Sequence, residues 1–121
     1  MASGTSVLIV DDAQCFRRVA RELLERRGYT VVGEADSAAT ALALAECLAP
    51  DAVLMDVLLP DCNGFALSAA LTGCSQPPAV LLVTAEPDLG SYALIEQSGA
   101  RGLVAKQALA ATDLSSFWPA P

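Results

Sequence analysis

Five short apolar runs recur at near-regular intervals along the chain, and they limit its folds more than any other feature. They are Val7–Val10, Thr30–Val32, Ala52–Met55, Ala79–Val83 and Leu103–Ala105. Near-continuous runs of β-branched and aliphatic residues suit strands buried on both faces. Helix-length segments lie between them. Phe16, Ala20, Leu23 and Leu24 fall on one face of a helix over 16–27, which Gly28 stops. Asp36 or Ser37 can cap an alanine-rich helix running to about Leu48, and Pro50 closes that connection. Segments 64–72 and 88–98 read as two more helices, the second ended by Gly99, and 107–117 reads as a last one, stopped before Pro119. Strand then helix, five times over, predicts a parallel sheet covered on both faces. Right-handed crossovers favour a doubly wound α/β fold.

A chain of 121 residues fits one domain, expected over 1–121 with an ordered core of about 5–117. A hydrophobic fraction of 54% excludes a disordered chain. No apolar run approaches the roughly 18 residues of a membrane span, and Met1–Ser6 lacks the pattern of a secretory signal. Cys15, Cys47, Cys62 and Cys74 form no Cys-x-x-Cys pair, and no histidine is present to complete a zinc site. Reduced thiols and a cytoplasmic location are the expectation. Fourteen acidic residues against seven basic ones argue against direct nucleic-acid binding. Without histidine, chemistry must run on carboxylates, Lys, Thr or a metal.

The first polar residues after the runs carry the functional signal. Asp11 and Asp12 follow Val10, Asp56 follows Met55, Thr84 follows Val83 and Lys106 follows Ala105. The second run leads into Gly33 and Glu34, as expected of an edge strand away from a site. In doubly wound sheets ligands bind outside the carboxyl ends of the strands. Three carboxylates, a hydroxyl and an ammonium are therefore expected in one crevice. Crowded carboxylates repel, and an oxygen-only donor set suits Mg²⁺ or Mn²⁺. The parts suit phosphoryl transfer to a carboxylate. Singly, each residue is more commonly a helix cap, a turn residue or a solvated charge; the four strand ends taken together are not.

The segments 7–12, 54–64, 83–85 and 99–106 resemble the receiver family of bacterial response regulators, in that family's order and spacing. The resemblance implies a flavodoxin-like five-stranded sheet of order 2-1-3-4-5. It implies Asp56 as phosphoacceptor, and Asp12, Asp56 and the backbone carbonyl of Leu58 as direct Mg²⁺ ligands, with Asp11 a ligand through water. Thr84 resembles the switch hydroxyl and Lys106 its ion-pairing neighbour. The phosphoryl donor would be a sensor histidine kinase or phosphotransfer protein. Two positions depart from the pattern. Leu103 stands where many receivers carry a switch Tyr or Phe, and Gln107 stands where many carry Pro.

Two other readings remain open. A degenerate receiver would signal by contact without phosphorylation. A phosphatase-like enzyme would use an aspartyl intermediate, but Asp56-Val57-Leu58 lacks that class's second Asp. Outside the site, five basic residues crowd the first helix, Arg17, Arg18, Arg21, Arg26 and Arg27. They form either a kinase-docking patch led by Arg17 and Arg18, or a solvated face tied by pairs such as Arg18–Glu22 and Glu22–Arg26. An apolar face is expected from Leu89, Tyr92 and Ile95 together with Ala110, Leu114, Phe117 and Trp118. It would serve as a homodimer or partner surface, unless Phe117 and Trp118 fold back to cap the core.

Overall fold

The computed structural model describes residues 4–86 and 92–121. Strands β1 (Ser6–Val10), β2 (Thr30–Ala35), β3 (Ala52–Asp56), β4 (Ala79–Thr84) and β5 (Gly102–Ala105) alternate with helices α1 (Gln14–Arg26), α2 (Ala38–Leu48), α3 (Gly64–Thr72) and α4 (Tyr92–Gln97). All strand pairings are parallel, as the apolar runs predict, and the order is β2-β1-β3-β4-β5, as the family resemblance implies. Every residue of β3 and β4 is buried, the expected signature of strands covered on both faces.

Alternation along the strands divides the core into two layers. Val7, Ile9, Leu54, Leu81 and Val83 pack with Ala20 and Leu24 of α1. Leu8, Val10, Val53, Met55, Val80 and Leu82 pack with Ala38 and Ala41 of α2 and Leu67 and Leu71 of α3. Local signals set the helix ends. Ser37 caps α2 by accepting from the Thr40 N–H at 3.2 Å, and Asn63 caps α3 by accepting from Ala66 at 2.8 Å. Gly28 closes the turn after α1 at φ 92°, where a side chain would be strained.

The end of the chain departs from expectation. No fifth α-helix forms over 107–117; two 3-10 segments, Lys106–Ala111 and Leu114–Ser116, replace it. The alanine-rich stretch has the propensity, but its neighbours compete. Asp113 turns its carboxylate back to accept from the Ser115 N–H at 3.1 Å and the Ser115 hydroxyl at 2.6 Å, while Thr112 is extended. Arg27 then takes the carbonyls of Ala110 and Thr112 as acceptors, drawing this segment against α1.

A second correction follows. Leu114 and Trp118, expected on an outer partner face, are 2% and 3% exposed. With no fifth helix, they and Leu109 fill the α1-side layer. Trp118 stands edge-on to Tyr29 at 5.4 Å, and Phe117 packs over Gly102, where a Cβ would collide with its ring. Of the expected apolar face, Tyr92 is exposed and Ile95 half-buried, whereas Leu89 lies outside the described residues.

Candidate functional site

Sheet register brings the site together. Val10 pairs with Met55, Asp56 with Val83 and Thr84 with Ala105, so Asp11, Asp56, Thr84 and Lys106 emerge at the same edge. Asp11 and Thr84 are fully buried and Asp56 nearly so, whereas Asp12 is exposed. Each of Asp11, Asp12 and Asp56 places a carboxylate oxygen within 4.8 Å of the others. Lys106 Nζ lies 2.6 Å from Asp11 Oδ2 and 3.2 Å from Asp56 Oδ2. It also sits 4.5 Å from the centre of the Phe16 ring, a cation–π contact that roofs the ammonium.

Two turns hold the carboxylates. Asp11 Oδ1 accepts from the Ala13 N–H at 2.8 Å, at the start of α1, and Asp56 Oδ1 accepts from the Leu58 N–H at 3.2 Å. Leu58, whose carbonyl was expected as a ligand, lies in the loop after β3 that its bridge with Asn63 closes. Gly64 donates to the Val57 carbonyl at 2.6 Å and packs on that backbone; a Cβ there would come within 2.8 Å of Val57 Cα. Asp61 reaches across to the N-terminus of α2, accepting from Ala38 at 2.8 Å and Ala39 at 3.1 Å. Those two N–H groups hold its carboxyl below the usual range.

The charges are under tension. Burial pushes the Asp56 carboxyl up, and the Asp11 charge adds to it, against the Leu58 N–H and Lys106. Burial pulls Lys106 down, but its pairs with Asp11 and Asp56 outweigh that and leave it raised. Asp11 Oδ2 is buried, and the Lys106 ammonium 2.6 Å away is its one described neutraliser. Three carboxylates that each bring an oxygen within 4.8 Å of the others, with one ammonium between them, fit a hard divalent cation such as Mg²⁺ or Mn²⁺.

Of the expected switch pair, Thr84 ends β4 at this edge and Leu103 lies in β5 opposite Leu82. The Thr84 hydroxyl is engaged with its own loop, accepting from the Glu86 N–H at 3.0 Å and donating to the Glu86 carbonyl at 3.2 Å. Leu103 is half-buried against the α2/α3 layer. Of the expected docking arginines, Arg18 is exposed, but Arg17 is not a free cation. Its Nε lies 3.0 Å from Glu34 and its Nη1 donates to the Asp11 carbonyl at 2.6 Å. The α1 pairs that form are Arg17–Glu34, Arg21–Glu34 and Arg21–Glu25, not Arg18–Glu22 or Glu22–Arg26. Sequence reasoning missed Phe16, Glu34 and Asp61; an acidic residue closing an otherwise apolar edge run, opposite an arginine-rich helix, was the one available hint.

A doubly wound sheet whose C-terminal edge gathers three carboxylates, a threonine and a lysine defines an α/β domain with an acidic site at the carboxyl ends of its strands. The chain belongs to the response regulator receiver domain family, whose model matches residues 7–115. A Pseudomonas aeruginosa protein named as a transcriptional regulator is 37% identical over 103 residues, covering 85% of this chain and 50% of that protein. The chemotaxis protein CheY of Thermotoga maritima is 41% identical over 61 residues, half of each chain. The chain thus spans about half the length of the curated relatives it matches. Among solved structures, the signal receiver domain of the response regulator NarL from Mycobacterium tuberculosis superposes with a TM-score of 0.79 at 31% identity, covering 91% of this chain and 90% of that one. A Burkholderia pseudomallei response regulator, described with a phosphorylated aspartic acid, calcium ion and citrate, gives 0.79 at 28% identity, covering 95% and 67%. Among the described residues, no helix is long and apolar enough to cross a membrane.

Proposed function

We propose that this receiver accepts a phosphoryl group on Asp56, with Mg²⁺ held by Asp11, Asp12, Asp56 and the Leu58 carbonyl, from a phosphohistidine on a sensor kinase or phosphotransfer protein. The observation that carries the reading is the pairing of a buried Asp56 with two neighbouring carboxylates and Lys106 at one sheet edge. The Burkholderia pseudomallei relative, with its phosphorylated aspartic acid and a divalent ion, supports the same chemistry. An Asp56 oxygen forms the new O–P bond as the donor's P–N bond breaks, and the imidazole leaves. The metal, when bound, neutralises the carboxylates and the incoming phosphoryl oxygens. Lys106, 3.2 Å from Asp56, is within reach of that charge, and Thr84 brings a hydroxyl at the end of β4. Phosphorylation draws Thr84 away from Glu86, and Leu103 repacks in place of an aromatic ring. We place the readout at α4 and β5, where Tyr92 is 91% exposed. The whole unit 1–121 acts as one receiver domain, signalling by contact and not by turning over a separate substrate.

Incubation with acetyl phosphate tests this. Mass spectrometry should find one added phosphoryl group with Mg²⁺ and none in excess chelator. Full uptake in chelator would remove the metal role, and no uptake in either condition would leave a receiver that signals by contact alone.

A further inference from the structure

Strand β2 carries a device that no sequence motif announces. Val7 opposes Val31, but Leu8 opposes Gly33, so one extra residue, Val32, enters the edge strand. Side chains alternate between faces, and an inserted residue reverses the alternation beyond it. Without the bulge Glu34 would share the α2 face. With it, Glu34 opposes Ile9, a member of the α1-side layer, and stands beneath α1. Gly33 fits the crowded bend, since a Cβ there would come within 2.9 Å of Leu48 and 3.3 Å of Leu8.

Re-aimed in this way, Glu34 grips two arginines, Arg21 Nε at 2.7 Å and Arg17 Nε at 3.0 Å, and both lower its carboxyl below the usual range, Arg21 most strongly. The side chains of Arg17 and Glu34 are only 16% and 29% exposed, so the pair is partly shielded from water. Arg17 has a second acceptor, the Asp11 carbonyl at 2.6 Å. That oxygen belongs to the peptide joining Asp11 to Asp12. The peptide on the other side of Asp11 is also tied to β2, through its N–H to the Ala35 carbonyl at 2.9 Å. Both peptide planes flanking Asp11 are thus anchored to the edge strand, one directly and one through Arg17 and Glu34. Rotation of the Asp11–Asp12 peptide would swing Asp12, the exposed member of the carboxylate cluster.

We infer that Arg17, oriented by Glu34, is a positioning residue that sets the geometry of the metal-binding carboxylates Asp11 and Asp12. The inference rests on the reading that this cluster takes a divalent ion. Partners of this kind, behind metal ligands, typically change affinity by about 10- to 100-fold when removed. A lysine cannot replace Arg17, because one ammonium on a flexible stem does not span the fork of two acceptors.

The test is Mn²⁺ titration, reading free Mn²⁺ by electron paramagnetic resonance, alongside thermal melting. Parent, Arg17→Ala, Arg17→Lys and Glu34→Gln are compared with Arg26→Ala, an exposed arginine on the same helix. Arg17→Ala and Arg17→Lys should weaken Mn²⁺ binding about tenfold, Glu34→Gln should weaken it less, and Arg26→Ala should match the parent. Adding Glu34→Gln to Arg17→Ala should cost no further affinity. Lowered melting with parent-like Mn²⁺ affinity in the Arg17 and Glu34 variants would reduce the pair to a staple between α1 and β2, and overturn the inference alone. A parent that binds no Mn²⁺ would overturn the metal reading and this inference with it. Should Arg17→Ala fail to fold, Arg17→Lys and Glu34→Gln carry the same comparison.

Discussion

Asp56 is held at a cost, and that cost makes a prediction. Its carboxyl is raised above its ordinary value of 3.8, by burial first and the Asp11 charge second. A raised acid stabilises the fold in its protonated form, and that contribution disappears as pH climbs through the folded-state pKa. In metal-free buffer the parent should therefore lose part of its stability between the ordinary carboxylate range and neutrality. Asp56→Asn keeps the shape without the charge. At pH 7 it should melt higher than the parent, and the gap should narrow on acidification toward the ordinary carboxylate pKa and on adding Mg²⁺. Melting curves across that range check it, and an Asn variant that melts lower at neutral pH contradicts it. Glu34 has the opposite sign: its lowered carboxyl stabilises the fold above its ordinary pKa and loses that stability in acid. The two trends are separable because they act on opposite sides of the carboxylate range.

Among the elements, the shortened C-terminal segment differs most from a regular five-helix layout. Trp118 is 3% exposed, packs edge-on to Tyr29 and closes the α1-side core. Trp118→Ala should cost about 3–5 kcal/mol, the usual penalty for an aromatic cavity. Trp118→Phe should cost far less, because it also removes an indole N–H that is buried without a partner. Chemical denaturation measures both, and a Trp118→Ala protein as stable as the parent would return this residue to the surface. The same segment marks where the sequence stops being legible. The five strands and the site-bearing strand ends could be read because buried parallel strands are written as uninterrupted apolar runs; their order came from the family resemblance, since apolar runs do not say which strands pair. The last helix was misread because Ala108–Ala111 has helical propensity, while the turn at Asp113 and the capture of two carbonyls by Arg27 depend on tertiary contacts. Glu34 was overlooked for a similar reason: a bulge at Val32 reverses strand parity, and its one mark in the sequence is Gly33 within the strand.

At the scale of the whole molecule, the net charge is −7, and five of the seven basic residues, Arg17, Arg18, Arg21, Arg26 and Arg27, lie on α1 or directly after it. Arg18 is exposed there, whereas Arg17 and Arg21 are spent on Glu34. Arg18→Glu should slow phosphoryl transfer from the cognate kinase several-fold, most at low salt, and leave uptake from acetyl phosphate unchanged. Equal slowing with both donors would place the effect at the site and not at docking. In the proposed function the sheet edge makes Asp56 the phosphoacceptor. Borohydride trapping of the acetyl phosphate-treated protein in Mg²⁺, followed by peptide mass spectrometry, tests it most directly. The account predicts a single reduced aspartate, Asp56, absent from the chelator control; trapping at another carboxylate, with Asp56 unmodified, would contradict it.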